Sequence, residues 1–390
     1  MNELTVISNG KIITGNGIVS GEKLLIKSGK IVGITNEETS GAEIVDAGGG
    51  YVSPGFIDTH VHGGGGYDFM DGGEEPIIKA AEFHLNYGTT TILPTTLACS
   101  FDTLLEFMTN LKNVIEKGEC KANIPGAHLE GPYFSQAQSG AQNPDYIKPP
   151  QPEEYNKIIR DFGDIVKKWS FAPELEGAED FCEALVKNGI VPSIGHSDGV
   201  FEDVQRVYNK GCRHATHLYS GMSLITRRDG FRHLGIVDSV YYFDDIYAEV
   251  IADGKHLPPE LLKLILKLRG KEHICLVTDA MRDSGKTSGT SFLGRKGEEM
   301  ACIIEDGVAK LPDRTAFAGS VATADRLVRT MVKEAGVSVE DAVKMITEVP
   351  AEICNLKTKG KIKENYDADI VIFDENINIK NVIAGGKIIK

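Results

Sequence analysis

The sequence lacks any long apolar run, and its first residues do not form a basic stretch followed by an apolar one. A membrane-spanning helix needs roughly 18 or more consecutive apolar residues. A secretory signal needs a charged stretch before a short apolar core. Because neither pattern occurs, we expect no membrane span, no signal peptide and a cytoplasmic location.

Cysteine and positive charge are both scarce. The seven cysteines are scattered and form no CxxC pair, so we expect buried, reduced thiols. The formal net charge is −14, which argues against a broad binding surface for nucleic acid. An anionic substrate would need a local cluster of cationic side chains.

The 390 residues suit one large barrel with a small accessory domain. The middle of the chain alternates apolar strands with helical patterns, which predicts parallel βα units and a (β/α)₈ TIM barrel over residues 54–357. The eight candidate strands are Gly55–His62, Thr89–Thr95, Ile124–Glu130, Val166–Ala172, Ile190–His196, Arg213–Leu218, Tyr247–Asp253 and His273–Asp279. The clearest helical patterns are Thr103–Glu116 with Asp102 as N-cap, Pro259–Leu268, and Val339–Leu356 with Ser338 as N-cap.

Both ends of the chain have the character of β-strands. Short apolar runs broken by turn residues fill residues 1–53, where Asn9-Gly10 is a hairpin signal. Residues 358–390 have the same pattern, with Gly385-Gly386 as a turn. We expect the two ends to fold together into a small β-sandwich domain.

Chemically capable side chains stand where the barrel strands are predicted to end. In a (β/α)₈ barrel all strand C-termini meet on one face, which carries the active site. Residues far apart in sequence therefore converge there: His60, His62, Glu130, His196, His217 and Asp279, with His256 just beyond the seventh strand.

These residue types suit a metal-dependent hydrolase. His60 and His62 share one face of a strand, and imidazole and carboxylate groups together bind divalent metals. Glu130 could bind or bridge metals. Hydrolysis also needs a carboxylate to move a proton, and Asp279 is our candidate. Each residue alone could equally be structural, so the prediction depends on the whole set.

Six motifs together resemble the amidohydrolase superfamily, and within it the deacetylases of N-acetylated amino-sugar phosphates. The resemblance covers nearly the whole chain. The motifs are PGFIDTHVHGGGG (54–66), PGAHLEGPY (125–133), GHSD (195–198), ATHLYSGM (215–222), IADGKH (251–256) and LVTDAM (276–281).

The resemblance implies hydrolysis of N-acetylglucosamine 6-phosphate to glucosamine 6-phosphate and acetate, with one or two divalent ions of zinc, iron, manganese or cobalt. It implies Glu130, His196 and His217 as core ligands and His60 and His62 as additional ones. Asp279 matches the catalytic aspartate. The substrate residues it implies are His256, Gln142 and an arginine at Arg227 or Arg228 that reaches the neighbouring subunit of a homodimer.

The chain departs from the family pattern near the substrate. Ser220-Gly221 replaces the common Asn-Ala, and Arg227-Arg228-Asp229 replaces one arginine followed by Glu-Pro-Gly. A cation cluster near Arg232, Lys255 and His256 still suits a phosphate.

Three alternatives stay open. The first is a deacetylase of a related amino sugar. The second is a cyclic-amide hydrolase, although the fourth strand ends without the bridging lysine that such enzymes use. The third is a barrel that lost catalysis and serves as a scaffold.

Overall fold

A computed structural model describes residues 4–390, and the side chain of Arg228 lies outside the described residues. The strands are β1 Leu4–Ser8, β2 Lys11–Thr14, β3 Gly17–Ser20, β4 Lys23–Lys27, β5 Lys30–Thr35, β6 Glu43–Asp46, β7 Tyr51–Pro54, β8 Phe56–Val61, β9 Gly63–Gly64, β10 Tyr67–Asp68, β11 Thr89–Pro94, β12 Ala127–Glu130, β13 Val166–Phe171, β14 Val191–Ile194, β15 His214–Ala215, β16 Thr226–Arg228, β17 Phe231–His233, β18 Tyr247–Val250, β19 Ile274–Leu276, β20 Gly289–Leu293, β21 Met300–Glu305, β22 Val308–Lys310, β23 Ile370–Phe373, β24 Ile379–Ala384 and β25 Lys387–Ile388. The α-helices are α1 Glu75–Leu85, α2 Phe101–Lys117, α3 Pro152–Phe162, α4 Ala178–Lys187, α5 Phe201–Asn209, α6 Ile236–Tyr242, α7 Pro259–Arg269, α8 Ala324–Lys333, α9 Val339–Ile346 and α10 Glu348–Ile353. Short 3₁₀ helices occur at Gln136–Gln138, Pro144–Tyr146 and Lys271–His273.

Eight parallel strands form a closed ring in the middle of the chain. β8 pairs with β11, and β12, β13, β14, β15, β18 and β19 form a six-stranded parallel sheet in that order. A parallel bridge between Thr95 and His128 joins β11 to β12. The ring closes where the Asp279 N–H donates to the His60 carbonyl at 2.9 Å and the His62 N–H donates to the Ala280 carbonyl at 2.8 Å. The predicted parallel α/β organisation is confirmed, and all strand C-termini point to one face.

Helix α2 shows how local sequence determines the outer layer. Ser100 has extended backbone and its side chain accepts from the Thr103 N–H at 3.1 Å, while Gly118 ends the helix in the left-handed region with φ 62°. The predicted N-cap Asp102 was therefore wrong, because Ser100 is the residue that leaves the helical conformation. The face of α2 toward the barrel buries Leu104, Phe107, Met108 and Leu111. Burying a side chain of this size stabilises the fold by about 1.5–3 kcal/mol.

The two ends of the chain share one sheet. β7, directly before the first barrel strand, pairs antiparallel with β23, so that Tyr51 lies opposite Phe373. This sheet has the order β25-β24-β23-β7-β2-β3, and a second has the order β5-β4-β1-β6. The two sheets share an apolar cluster that includes Ile7, Leu24 and Ile370.

A three-stranded antiparallel sheet, β20-β21-β22, follows the last barrel strand. It has its own small apolar core, which includes Met281, Leu293 and Cys302. This sheet was not predicted from the sequence. It lies beside the mouth of the barrel, because Leu293 lines the cavity described below.

The described part of the chain contains no helix of the length and apolar character that a bilayer crossing requires. All seven cysteines lack disulfide partners, and every one except Cys120 is buried.

Candidate metal centre

Six side chains that are distant in sequence meet at the C-terminal face of the barrel. Each comes from the end of a ring strand or from the residues directly after it, which is where a parallel barrel collects its functional groups. All six are at least nine-tenths buried: His60, His62, Glu130, His196, His217 and Asp279.

Glu130, the last residue of β12, lies at the centre of this group. Its Oε1 atom is 3.1 Å from His217 Nε2, 3.3 Å from His60 Nε2 and 3.4 Å from His196 Nε2. Its Oε2 atom is 3.5 Å from His62 Nε2. One carboxylate therefore faces four imidazoles, as a ligand that bridges two positions would.

Asp279 forms the second negative point of the group. Its Oδ1 atom is 3.0 Å from His62 Nε2 and 3.5 Å from His60 Nε2. Two sets of ligand atoms, each within 4.8 Å of one another, could hold a metal ion. One set is His60, Glu130 and His217, and the other is His60, His62 and Asp279.

The donor atoms fit divalent cations. His60 Nε2 is buried between two carboxylates and has no hydrogen-bond partner. The Nε2 atoms of His196 and His217 lie 3.2 Å apart, so two nitrogen lone pairs would face each other without a cation or a proton between them. Imidazole and carboxylate donors of this kind suit zinc, iron, manganese and cobalt.

The charges of the site also favour a bound cation. Burial lowers the pKa of His60, but Glu130, Asp279 and Glu249 outweigh it and raise that pKa to about 10. Burial raises the pKa of Glu130, yet the charge of His60 and the contacts with the His196 and His217 rings hold this pKa well below its usual range. The potential at the site is strongly negative, which favours a cation.

Three of the six residues have unusual backbone conformations. His196, His217 and Asp279 have φ values of 47°, 24° and 50°, in the left-handed region that non-glycine residues rarely adopt. Each such residue costs about 1–3 kcal/mol and is held by its surroundings. Here the turns lie directly after β14, β15 and β19 at the cavity floor.

A second set of hydrogen bonds orients the candidate ligands. The His196 Nδ1–H donates to the Gln138 carbonyl at 2.8 Å, which leaves Nε2 with its lone pair. The Gln142 side chain donates from Nε2 to Glu130 Oε2 at 2.6 Å and accepts from the Ala98 N–H at 2.7 Å. Gln142 therefore lines the cavity and also fixes Glu130.

A cavity of about 250 Å³ lies above these residues. Its floor includes His62, Glu130, His196, His217 and Asp279, and its wall contains four residues predicted to contact substrate: Gln142, Ser220, Gly221 and His256. The His256 Nδ1–H donates to Asp253 Oδ2 at 2.9 Å, and its ring centroid lies 4.4 Å from that of Phe317. Phe317 and Leu293 also line the cavity, although no sequence motif marked them.

Arg227, one of the two arginines predicted to bind phosphate, does not line this cavity. Arg227 is exposed on the hairpin of β16 and β17, and the prediction for Arg228 concerns a side chain outside the described residues. Arg232 and Lys255 are also exposed. Among the described residues that line the cavity, none is arginine or lysine.

Sequence reasoning missed a buried ion pair behind the site. Lys168 on β13 and Glu249 on β18 are fully buried and contact each other. The available signal was one carboxylate, Glu249, among the apolar residues of β18, since burying an unpaired charge is costly.

Comparison with known proteins identifies the class. The amidohydrolase family profile matches residues 51–389, and the chain belongs to this family. It is 33% identical over 384 residues to N-acetylglucosamine-6-phosphate deacetylase of Lysinibacillus sphaericus, covering 98% of this chain and 97% of that protein. It is 28% identical to N-acetylgalactosamine-6-phosphate deacetylase of Escherichia coli O157:H7, with 98% of each chain covered. The crystal structure of N-acetylglucosamine-6-phosphate deacetylase from Pasteurella multocida superposes with a TM-score of 0.91 at 26% identity, covering 99% of each chain.

Proposed function

We propose that the protein hydrolyses N-acetylglucosamine 6-phosphate to glucosamine 6-phosphate and acetate. The observation that carries the proposal is the buried group of four histidines and two carboxylates, of which all but His60 line the floor of a cavity. The names of the relatives support the substrate class.

The residues proposed to hold one or two divalent ions are His60, His62, Glu130, His196 and His217. A bound divalent ion supplies Lewis acidity, which polarises a carbonyl and acidifies water. The group supports two ions better than one, because His60 and Glu130 face two separate sets of donors.

Asp279 is the proposed general base and general acid. Burial raises its pKa, but the charge of His60 and the hydrogen bond from His62 outweigh it and lower that pKa, so the carboxylate is ionised at neutral pH. It takes a proton from water as the water oxygen attacks the acetyl carbon. It then delivers that proton to the amine nitrogen as the C–N bond breaks.

The cavity wall supplies the proposed substrate contacts. Asp253 holds His256 through Nδ1, which leaves Nε2 free to meet a sugar or phosphate oxygen. Gly221 has φ 54°, and a Cβ there would lie 3.0 Å from His196 Nδ1. The glycine therefore leaves room for the metal ligand beside the substrate.

A homodimer would complete the site. Three large apolar side chains are exposed on the hairpin that carries Arg227 and Arg228 and on the residues just before it. They are Leu224, Ile225 and Phe231, and Phe231 is 74% exposed. Apolar exposure of this kind is typical of an interface with another protein. We propose that an arginine of this hairpin reaches the partner's cavity and binds the phosphate.

Coexpression of two inactive variants tests the shared site. One variant is Asp279→Asn and the other is Arg227→Ala with Arg228→Ala. If the arginine acts across the interface, mixed dimers regain activity, because one of their sites has both Asp279 and an intact hairpin opposite. No regained activity in dimers of mixed composition would place the arginine's action within its own chain.

The accessory domain completes the proposal. We propose that the two end sheets form a β-sandwich from residues 1–53 and 358–390, and that the barrel spans residues 54–357. The apolar cluster between the sheets supports this division.

Deacetylation rates with added metal test the function. N-acetylglucosamine 6-phosphate should be hydrolysed far faster than unphosphorylated N-acetylglucosamine and faster than N-acetylgalactosamine 6-phosphate. Preference for the galactosamine epimer would keep the mechanism and overturn the substrate. Indifference to phosphate would overturn the proposed role of the hairpin arginines.

A further inference from the structure

Glu249 lies directly behind the candidate metal centre. Its Oε2 atom is 3.0 Å from His60 Nδ1 and accepts from the His217 backbone N–H at 3.2 Å. Its Oε1 atom is paired with Lys168. None of these groups is exposed to solvent beyond a few per cent. One carboxylate oxygen therefore contacts two candidate ligands that come from different strands, β8 and the turn after β15.

The contact at Nδ1 decides what His60 presents to a metal. A carboxylate next to a ring nitrogen accepts a hydrogen bond from it, so Nδ1 keeps a proton, and Nε2 is the nitrogen that gives its lone pair to a bound metal. Nε2 is the atom that lies 3.3 Å from Glu130 Oε1 and 3.5 Å from Asp279 Oδ1. Without an acceptor at Nδ1, the opposite tautomer would direct an N–H at the metal position.

Lys168 explains why the carboxylate can occupy the barrel interior. An isolated buried carboxylate is costly, whereas a paired one is tolerated. Lys168 is bound to Oε1 and thereby leaves Oε2 for His60 and His217. The two side chains come from β13 and β18, which are separated in the ring by β14 and β15, so the pair spans the barrel interior below the cavity floor.

We propose that Glu249, held by Lys168, is a positioning residue that fixes the tautomer and direction of His60 for metal binding. The inference rests on the metal centre proposed above. Partners of this kind behind a metal-binding histidine commonly change metal affinity by about 10- to 100-fold when removed.

Zinc binding to the full-length protein, stripped with a chelator and titrated against a competing dye, provides the first test. Lys168→Met with Glu249→Leu removes both charges together and deletes the acceptor. Lys168→Met with Glu249→Gln also removes both charges but keeps an acceptor oxygen. Zinc affinity should fall about 10- to 100-fold in the first double variant and by less in the second.

A matched control removes another ion pair distant from the site. Lys359 Nζ lies 2.6 Å from Asp369 Oδ2 beside the C-terminal strands, and both side chains are about nine-tenths buried. Lys359→Met with Asp369→Asn should lower thermal stability and leave zinc affinity unchanged. Equal loss of zinc affinity in the control, or unchanged affinity in the double variant that carries Glu249→Leu, would overturn the proposal.

Nitrogen NMR of the unaltered zinc-loaded protein provides a second test, in which a variant serves only to assign the His60 signals. The His60 ring, assigned by loss of its signals in His60→Asn, should show a proton on Nδ1 and zinc on Nε2. Zinc bound through Nδ1, or an unprotonated Nδ1, overturns the role of Glu249 and leaves the metal centre intact. A protein that binds no zinc at all overturns the metal centre together with this inference.

Discussion

At the residue scale, the candidate site consists of groups whose positions are fixed from several sides. Glu130 is held by Gln142, His196 by the Gln138 carbonyl and His60 by Glu249. The ligand types and their order along the chain could be predicted from sequence, because barrel strand ends converge. The contact between Glu249 and Lys168 could not, because it joins the interiors of two strands and depends on side-chain geometry.

Loss of Asp279 separates chemistry from metal binding. In Asp279→Asn the side chain keeps its shape but cannot accept a proton, so kcat should fall by about 100- to 10,000-fold. Metal content, measured by atomic emission, should stay near normal because Glu130 and the histidines remain. Asp283→Asn is the control, since Asp283 is buried, accepts from Ser291 and does not line the cavity. Near-normal turnover in Asp279→Asn would exclude it as the proton carrier.

Gly221→Ala should weaken metal binding through His196. The added Cβ would lie 3.0 Å from His196 Nδ1 and 3.0 Å from the Gln138 carbonyl, so the ring must shift away from its hydrogen bond. Gly385→Ala is the matched control, because its φ of 55° imposes the same backbone strain while its Cβ would meet nothing within 4 Å. Both proteins should lose about 1 kcal/mol of stability, as measured by denaturant unfolding. Only Gly221→Ala should lose zinc affinity, and equal affinities would contradict the argument.

At the element scale, the barrel strands were predictable and the ends of helices were less so. The predicted helix Val339–Leu356 divides into α9 and α10 at Thr347, whose φ of −129° breaks the helix. The sheet β20-β21-β22 escaped prediction although Asp306-Gly307, with φ values of 55° and 75°, is a strong hairpin signal.

The cap of α2 offers a test at this scale. Ser100→Ala removes the acceptor for the Thr103 N–H and should destabilise the protein by about 1 kcal/mol. Asp102→Asn removes only a favourable charge in the first turn and should cost about 0.3–1 kcal/mol or less. Urea unfolding of both variants compares them. A larger loss of stability in Asp102→Asn than in Ser100→Ala would support Asp102 as the N-cap of α2.

At the scale of the whole molecule, stability should depend on the protonation of His84. Burial lowers the pKa of this side chain from 6.5 to about 4, against the hydrogen bond to the Gly63 carbonyl. The unfolded chain therefore binds the proton more readily, and stability is lost as the pH falls from 6.5 toward 4. The difference corresponds to roughly 3 kcal/mol.

His84→Gln isolates this contribution, because glutamine can still donate to the carbonyl but does not titrate. Unfolding free energies at several pH values should show the unaltered protein losing up to roughly 3 kcal/mol more than the variant between pH 6.5 and 4. Parallel pH profiles for the two proteins would show that His84 does not contribute to acid sensitivity.

The closure of the ring has a consequence for how the protein is made. β8, with His60, joins the turn that carries Asp279, and β7 pairs with β23 near the last residues of the chain. At roughly 5–20 residues per second on the ribosome, His60 is synthesised on the order of 10–40 s before Asp279. During that interval His60 and His62 still lack one or more of the groups that face them in the folded barrel. The candidate metal centre is thus completed only at the end of synthesis, and a prematurely terminated chain leaves its first two candidate ligands without the groups that face them.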